Sequence, residues 1–81
     1  MMDKEAVEIE KAFSEVNRML LKSKEGKIYR IMLDALDKSL IRNTLIITFG
    51  NQLKAARLLG INRNTLRAKM RKLGISLSEV K

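Results

Sequence analysis

Over the first part of the chain, apolar residues recur every three or four positions. Ala6, Ile9, Phe13, Val16 and Leu20 keep that step, Ala12 and Met19 lie alongside, and the intervening residues are mostly polar or charged. This rhythm predicts an amphipathic helix of about five turns. Asp3 stands where an N-cap belongs. Glu5, Glu8 and Glu10 follow near the start and Lys22 and Lys24 lie near the end, the order that the helix macrodipole favours. Gly26 ends the run.

From Lys27 to about Thr48 no Gly or Pro interrupts the chain, and a second, longer helix is predicted there. Residues 44–49 alone read as a strand, but tertiary context overrides so short a local preference. Ile28, Ile31, Met32, Ala35, Leu36, Leu40, Ile41, Leu45, Ile46, Ile47 and Phe49 cover more than one stripe of this helix. A helix that is apolar on several sides needs several partners. The first helix and the C-terminal half can cover part of it, and a second copy of the chain is predicted to cover the rest. Residues 3–49 would then form a helical dimerisation region, with a four-helix core made from the first two helices of each protomer.

Gly50 breaks the long helix, and residues 50–75 follow a different pattern. They read as two short helices joined by a tight turn: Asn51 is an N-cap, Leu59-Gly60 a stop, and Asn62 a second N-cap two residues later. A connection of three residues, Gly60-Ile61-Asn62, suits a helix-turn-helix corner. In the second of these helices Leu66, Met70 and Leu73 project to one face, which must turn inward. Opposite them stand Asn64, Arg67, Ala68, Arg71 and Lys72, flanked by Arg63, Thr65 and Lys69, with no acidic residue among them. After Leu73, Gly74 is a C-cap with Ile75 packing back behind it, and residues 76–81 are a short tail expected to fray.

Composition narrows the possibilities. Eighty-one residues make one small domain, 1–81, at a size that often gains stability by dimerising. The absence of Pro and the abundance of Leu, Ile and Met point to an all-α fold. No cysteine and no histidine leave no thiolate metal site, no disulfide framework and no imidazole base or ligand. Neither a phosphate-binding loop nor a persuasive acid–base pair is present, so no catalytic residue, metal site or cofactor is assigned and an enzyme is the weakest reading. No apolar run approaches bilayer length and the N-terminus is acidic; the expectation is a cytoplasmic protein, associated with the nucleoid and not with a membrane. Met1-Met2 reads as a start set before a domain boundary, as in a piece of a longer protein.

Charge adds the functional direction. Residues 1–50 hold nine Lys/Arg against eight Asp/Glu, a net +1, whereas residues 51–81 hold eight Lys/Arg against Glu79 alone, a net +7. A solubility surplus would be spread along the chain; a nucleic-acid footprint clusters on one element. Arg63 and Arg67 lie one turn apart near the end that a recognition helix directs at base edges, and Arg pairs bidentately with guanine. Ala68 leaves room for close approach and can meet a thymine methyl. Thr65, Lys69, Arg71 and Lys72 suit phosphates, which fix register without reading sequence.

At these residues a family resemblance becomes plain. Ala55-Ala56-Arg57-Leu58-Leu59-Gly60, then Arg63-Asn64-Thr65-Leu66 and Lys69 through Leu73-Gly74, resemble the Fis-type helix-turn-helix. They are most similar to the C-terminal DNA-binding domain of NtrC-like enhancer-binding activators that work with the sigma-54 polymerase. The match runs from about Gly50 to Ile75. What it implies is a four-helix Fis-like domain that binds double-stranded DNA as a homodimer, with two recognition helices in successive major grooves of a palindromic enhancer site. A sigma-54 RNA polymerase would be engaged through other domains of a longer protein. Carried over residue by residue, Asn62, Arg63, Asn64 and Arg67 would read base edges, and Asn51, Thr65 and Lys69 would contact the backbone. Ala68 and Leu53 stand where the stand-alone Fis protein has a lysine and a threonine.

Blander readings stand beside these. Asn51 and Asn62 are caps before they are DNA ligands, and Arg57 can be plain surface. Asp34 and Asp37 read as solvated or paired with Lys38 or Arg30, and Met19, Met32 and Met70 as core filler. The main alternative is a stand-alone Fis-like nucleoid protein that bends DNA; a second is an oligomerisation module whose basic half meets an acidic protein or membrane surface.

Overall fold

A computed structural model describes residues 3–23 and 26–80. Met1, Met2 and Lys24, on which readings above rest, lie outside the described residues. Four helices follow in the expected order: α1 (Lys4–Ser23), α2 (Ile28–Ile47), α3 (Gln52–Leu59) and α4 (Arg63–Leu73), with a 3-10 turn at Leu77–Val80. Among the described residues there is no strand; the protein is all-α, and residues 44–47 complete α2. The chain divides into two compact units, Met1–Ile31 and Met32–Lys81.

In the first unit Asp3 caps α1 as expected. Its Oδ1 accepts from the Ala6 N–H at 2.8 Å and its carbonyl from the Val7 N–H at 3.2 Å, which satisfies two of the N–H groups that a helix start leaves orphaned. Arg18 meets Glu15 across one turn at 3.1 Å, an exposed pair of small energetic consequence. The apolar stripe is present but uncovered: Ile9, Phe13, Val16 and Met19 are all exposed. Met19 is therefore not core filler within this chain.

The second unit holds the core. Ile41 and Leu45 of α2, Ala55 and Ala56 of α3, Leu66 and Met70 of α4 and the following Ile75 are buried together, with Leu59, Ile61 and Leu73 packed at the edge. The alanine pair explains the close meeting of α3 with its neighbours, because side chains of one carbon let backbones approach. Thr48 is a buried polar residue that keeps its hydrogen bond, its hydroxyl donating to the Thr44 carbonyl at 2.9 Å. Only part of α2 turns to this core: Leu33, Leu36, Leu40, Ile46 and Ile47 stay exposed.

Two details differ from expectation. The left-handed turn that ends α2 begins at Phe49, φ 55, one residue before Gly50; the Phe49 N–H reaches the Ile46 carbonyl at 3.2 Å and the Gly50 N–H the Leu45 carbonyl at 2.8 Å, the paired bonds of a Schellman end. The tail does not simply fray either. It coils into the 3-10 turn and brings the Leu77 side chain to 3.7 Å from where a Cβ on Gly50 would stand.

Candidate nucleic-acid interface

The corner between α3 and α4 is built by its caps. Asn51 Oδ1 accepts from the Lys54 N–H at 3.0 Å and Asn62 Oδ1 from the Asn64 N–H at 2.7 Å. Between them Gly60 takes φ 73, a left-handed conformation that costs a residue with a Cβ about 1–2 kcal/mol. The Ile61 N–H then reaches back to the Ala56 carbonyl at 3.0 Å, and α4 leaves at a new angle, fixed by hydrogen bonds rather than by loop length. Both asparagines are thus caps first. With one lone pair of Oδ1 engaged by the helix, each keeps its Nδ2 donors for a ligand, and donors suit phosphate oxygens and base acceptors alike.

On α4 the inward face is as expected: Leu66 and Met70 are buried and Leu73 is half-buried. Arg63, Asn64, Thr65, Arg67, Ala68, Arg71 and Lys72 are exposed. Two hollows adjoin this surface. One, open and about 420 Å³, lies between the start of α3 and α4, lined by Gly50, Asn51, Gln52, Leu53, Arg63 and Arg67. The other, about 300 Å³, is lined by Gln52, Arg67, Met70, Arg71, Ile75 and Leu77. Arg67 borders both. The two guanidinium groups therefore stand beside the first turn of α3, where N–H groups without helical partners favour an anion.

Lys69 goes elsewhere. It is half-buried, and its Nζ donates to Asp37 Oδ2 of α2 at 3.0 Å. Lys72 Nζ lies 3.8 Å from Asp34 Oδ1, one turn along each helix. The expected partners Lys38 and Arg30 give way to lysines of α4, because α2 and α4 contribute to one core and bring residues 32 and 38 positions apart together. Sequence spacing held no sign of this pairing, which is tertiary. Gln52 was missed as well; a polar residue next to an N-cap that faces a basic helix was the available signal.

Among the described residues no group of three or more His, Cys, Asp or Glu is placed to hold a metal ion, and no helix is long and apolar enough to cross a membrane. The arrangement that remains is a helix-turn-helix whose second helix presents cations around a shallow, polar surface. The family model described as bacterial regulatory protein, Fis family, matches residues 32–77, and the chain belongs to that family. It is 52% identical over 50 residues to the DNA-binding transcriptional regulator NtrC of Rhizobium meliloti (strain 1021), and 50% identical over 50 residues to NtrC of Azospirillum brasilense. Each match covers 62% of this chain and 10% of the relative. The DNA-binding protein Fis of Vibrio atlanticus (strain LGP32) is 38% identical over 51 residues, covering 63% of this chain and 52% of that protein. The chain thus matches about a tenth of the NtrC relatives and about half of Fis. No solved structure matches it.

Proposed function

We propose that this chain is the sequence-specific DNA-binding domain of a bacterial transcriptional regulator. It acts as a homodimer through α1 and α2 and sets two α4 helices in successive major grooves of a palindromic enhancer site. The observation that carries the reading is the exposed arginine side of α4, free of acidic residues and bordered by the capped start of α3. On that surface Arg63, Asn64 and Arg67, with Asn62 at the helix start, read base edges. Asn51, Thr65, Arg71 and Lys72 hold the backbone, and Ala68 meets a thymine methyl. The uncovered apolar stripes of α1 and α2 support the dimer: a second copy is the simplest surface that buries both at once. Within a longer activator the remaining domains would engage the sigma-54 polymerase, and the domain itself works in the cytoplasm on the nucleoid.

The stand-alone DNA-bending reading is favoured by the match to half of Fis, the activator reading by the higher identity to NtrC. Selection of bound duplexes from a randomised pool at about 0.15 M salt, where weak non-specific binding is screened, separates them. Recovery of a palindrome with half-sites about one helical turn apart, or a multiple of it, supports the regulator. A shapeless AT-rich pool supports the architectural protein, and no enrichment refutes both. Sedimentation at micromolar concentration tests the dimer; a fully helical monomer would refute it.

A further inference from the structure

The recognition helix carries five cations, Arg63, Arg67, Lys69, Arg71 and Lys72, and they do not point the same way. Projected at about 100° per residue, the three arginines fall within about 80° of one another, while Lys69 lies about 160° from both Arg67 and Arg71. The surroundings divide in the same manner. Arg63 and Arg67 share their hollow with the start of α3. Lys69 lines a separate one, about 110 Å³, with Asp37, Leu40, Ile41, Leu59 and Ile61, and these two hollows have no residue in common. There it is held by Asp37 at 3.0 Å, with both side chains more than half covered, at 39% and 37% exposure.

We infer that Lys69 is a positioning residue and lies outside the DNA footprint: its ion pair with Asp37 sets the rotation of α4 about its own axis, and so decides which side the arginines present. The inference rests on the DNA-binding reading above. Apolar packing alone is non-directional, and α4 turns inward on a stripe of only Leu66, Met70 and Leu73, which leaves a small rotation weakly opposed. A charge-assisted hydrogen bond has a direction. Placed beside that stripe it supplies the missing constraint. A move of Lys69 toward a phosphate would leave Asp37 half-buried without its cation and close to a polyanion, which costs twice. The Lys72–Asp34 contact, at 3.8 Å and with Lys72 72% exposed, is a looser second rung in the same antiparallel order and leaves Lys72 available to DNA.

The test uses the full chain and a fluorescein-labelled mixed-sequence duplex of about 30 base pairs, with affinity measured from about 50 to 200 mM salt. Each phosphate contact contributes about 0.9 to the log–log slope. Lys69→Met, which keeps the apolar stem but breaks the pair, is expected to bind about tenfold weaker at every salt concentration, because α4 loses its setting, while the slope of wild type is kept. Affinity within about threefold of wild type would overturn the positioning role. The charge swap Asp37→Lys with Lys69→Asp is expected to bind within about threefold of wild type, since the pair is restored and the net charge kept. A slope shallower by about 0.9 per bound protomer in Lys69→Met would overturn the inference. So would a loss of tenfold or more in a swap whose circular dichroism remains helical. Should the swap not fold, Lys69→Met decides alone, by its affinity and its slope together. A wild-type chain that binds no duplex would instead refute the DNA reading, and the inference with it.

Discussion

Phe49 offers a sharp test of how the helix-turn-helix is held. It sits at φ 55 and is 94% exposed, so a large side chain occupies a left-handed position and gains almost nothing from burial. The left-handed conformation costs a residue with a Cβ about 1–2 kcal/mol. Full burial of a phenylalanine is worth about 1.5–3 kcal/mol, so the small covered remainder recovers no more than about 0.2 kcal/mol. Phe49→Gly removes the strain, while the greater freedom of glycine in the unfolded chain returns about 0.5–1 kcal/mol of it. The expected net is a stabilisation of about 0.5–1 kcal/mol, which in a domain of this size raises Tm by about 2–8 °C. Phe49→Ala keeps the Cβ and therefore the strain, and should stay within about 0.5 kcal/mol of wild type. The assay is thermal unfolding followed by circular dichroism at two protein concentrations about a hundredfold apart. A fall in Tm for Phe49→Gly at both concentrations refutes the strain ledger. A fall confined to the higher concentration means that a second copy covers Phe49.

Other substitutions probe other links. Leu66, 0% exposed, anchors α4; Leu66→Ala should cost about 2–5 kcal/mol by urea denaturation, a large share of the roughly 4–12 kcal/mol expected for a domain of this length, and duplex binding should be lost in parallel with helicity. Asn62 separates cap from ligand: Asn62→Ala should lower stability by about 1 kcal/mol, whereas Asn62→Asp keeps the cap and should weaken duplex binding in a fluorescence titration, by placing a carboxylate beside phosphates. Equal stability loss in the two variants would contradict that assignment. Arg67→Ala should cost about 1–3 kcal/mol of affinity for a selected site and relax its preference at one base position; a uniform loss across all sequences would make Arg67 a phosphate contact instead.

Much of the fold was legible because local signals agreed with the tertiary outcome. Asn51, Gly60, Asn62 and Gly74 each cap an element in the way their chemistry requires, and the period of Leu66, Met70 and Leu73 named the buried face of α4. What was not legible depended on contacts between distant residues. Asp34 and Asp37 looked like a solvated pair because their natural partners in sequence are Lys38 and Arg30; only the packing of α2 on α4 offers them lysines. The same packing divides the basic helix, which from sequence reads as one continuous cationic surface. At Phe49 the glycine one residue later drew the helix stop toward itself, and nothing in the sequence says that an aromatic residue takes the left-handed position. A tail as short as residues 76–81 reads as fraying, yet Leu77 comes within 3.7 Å of where a Cβ on Gly50 would stand.

These tertiary contacts give α2 a larger part than the dimerisation proposed for it. Asp34 and Asp37 face α4, and Ile41 and Leu45 enter the core shared with α3 and α4. These residues span 34–45, about 17 Å of helix, so α2 meets α4 and the shared core along a length and not at a single point. The exposed apolar residues of α2 lie along the same length. In the proposed dimer, whatever pairs those apolar faces would therefore set the separation of the two recognition helices directly, and half-site spacing would be a property of α2 pairing while base preference remains a property of α4. Substitutions on the exposed side of α2 should then change the spacing recovered in a selection and leave the half-site sequence alone; substitutions of Arg63 or Arg67 should do the reverse.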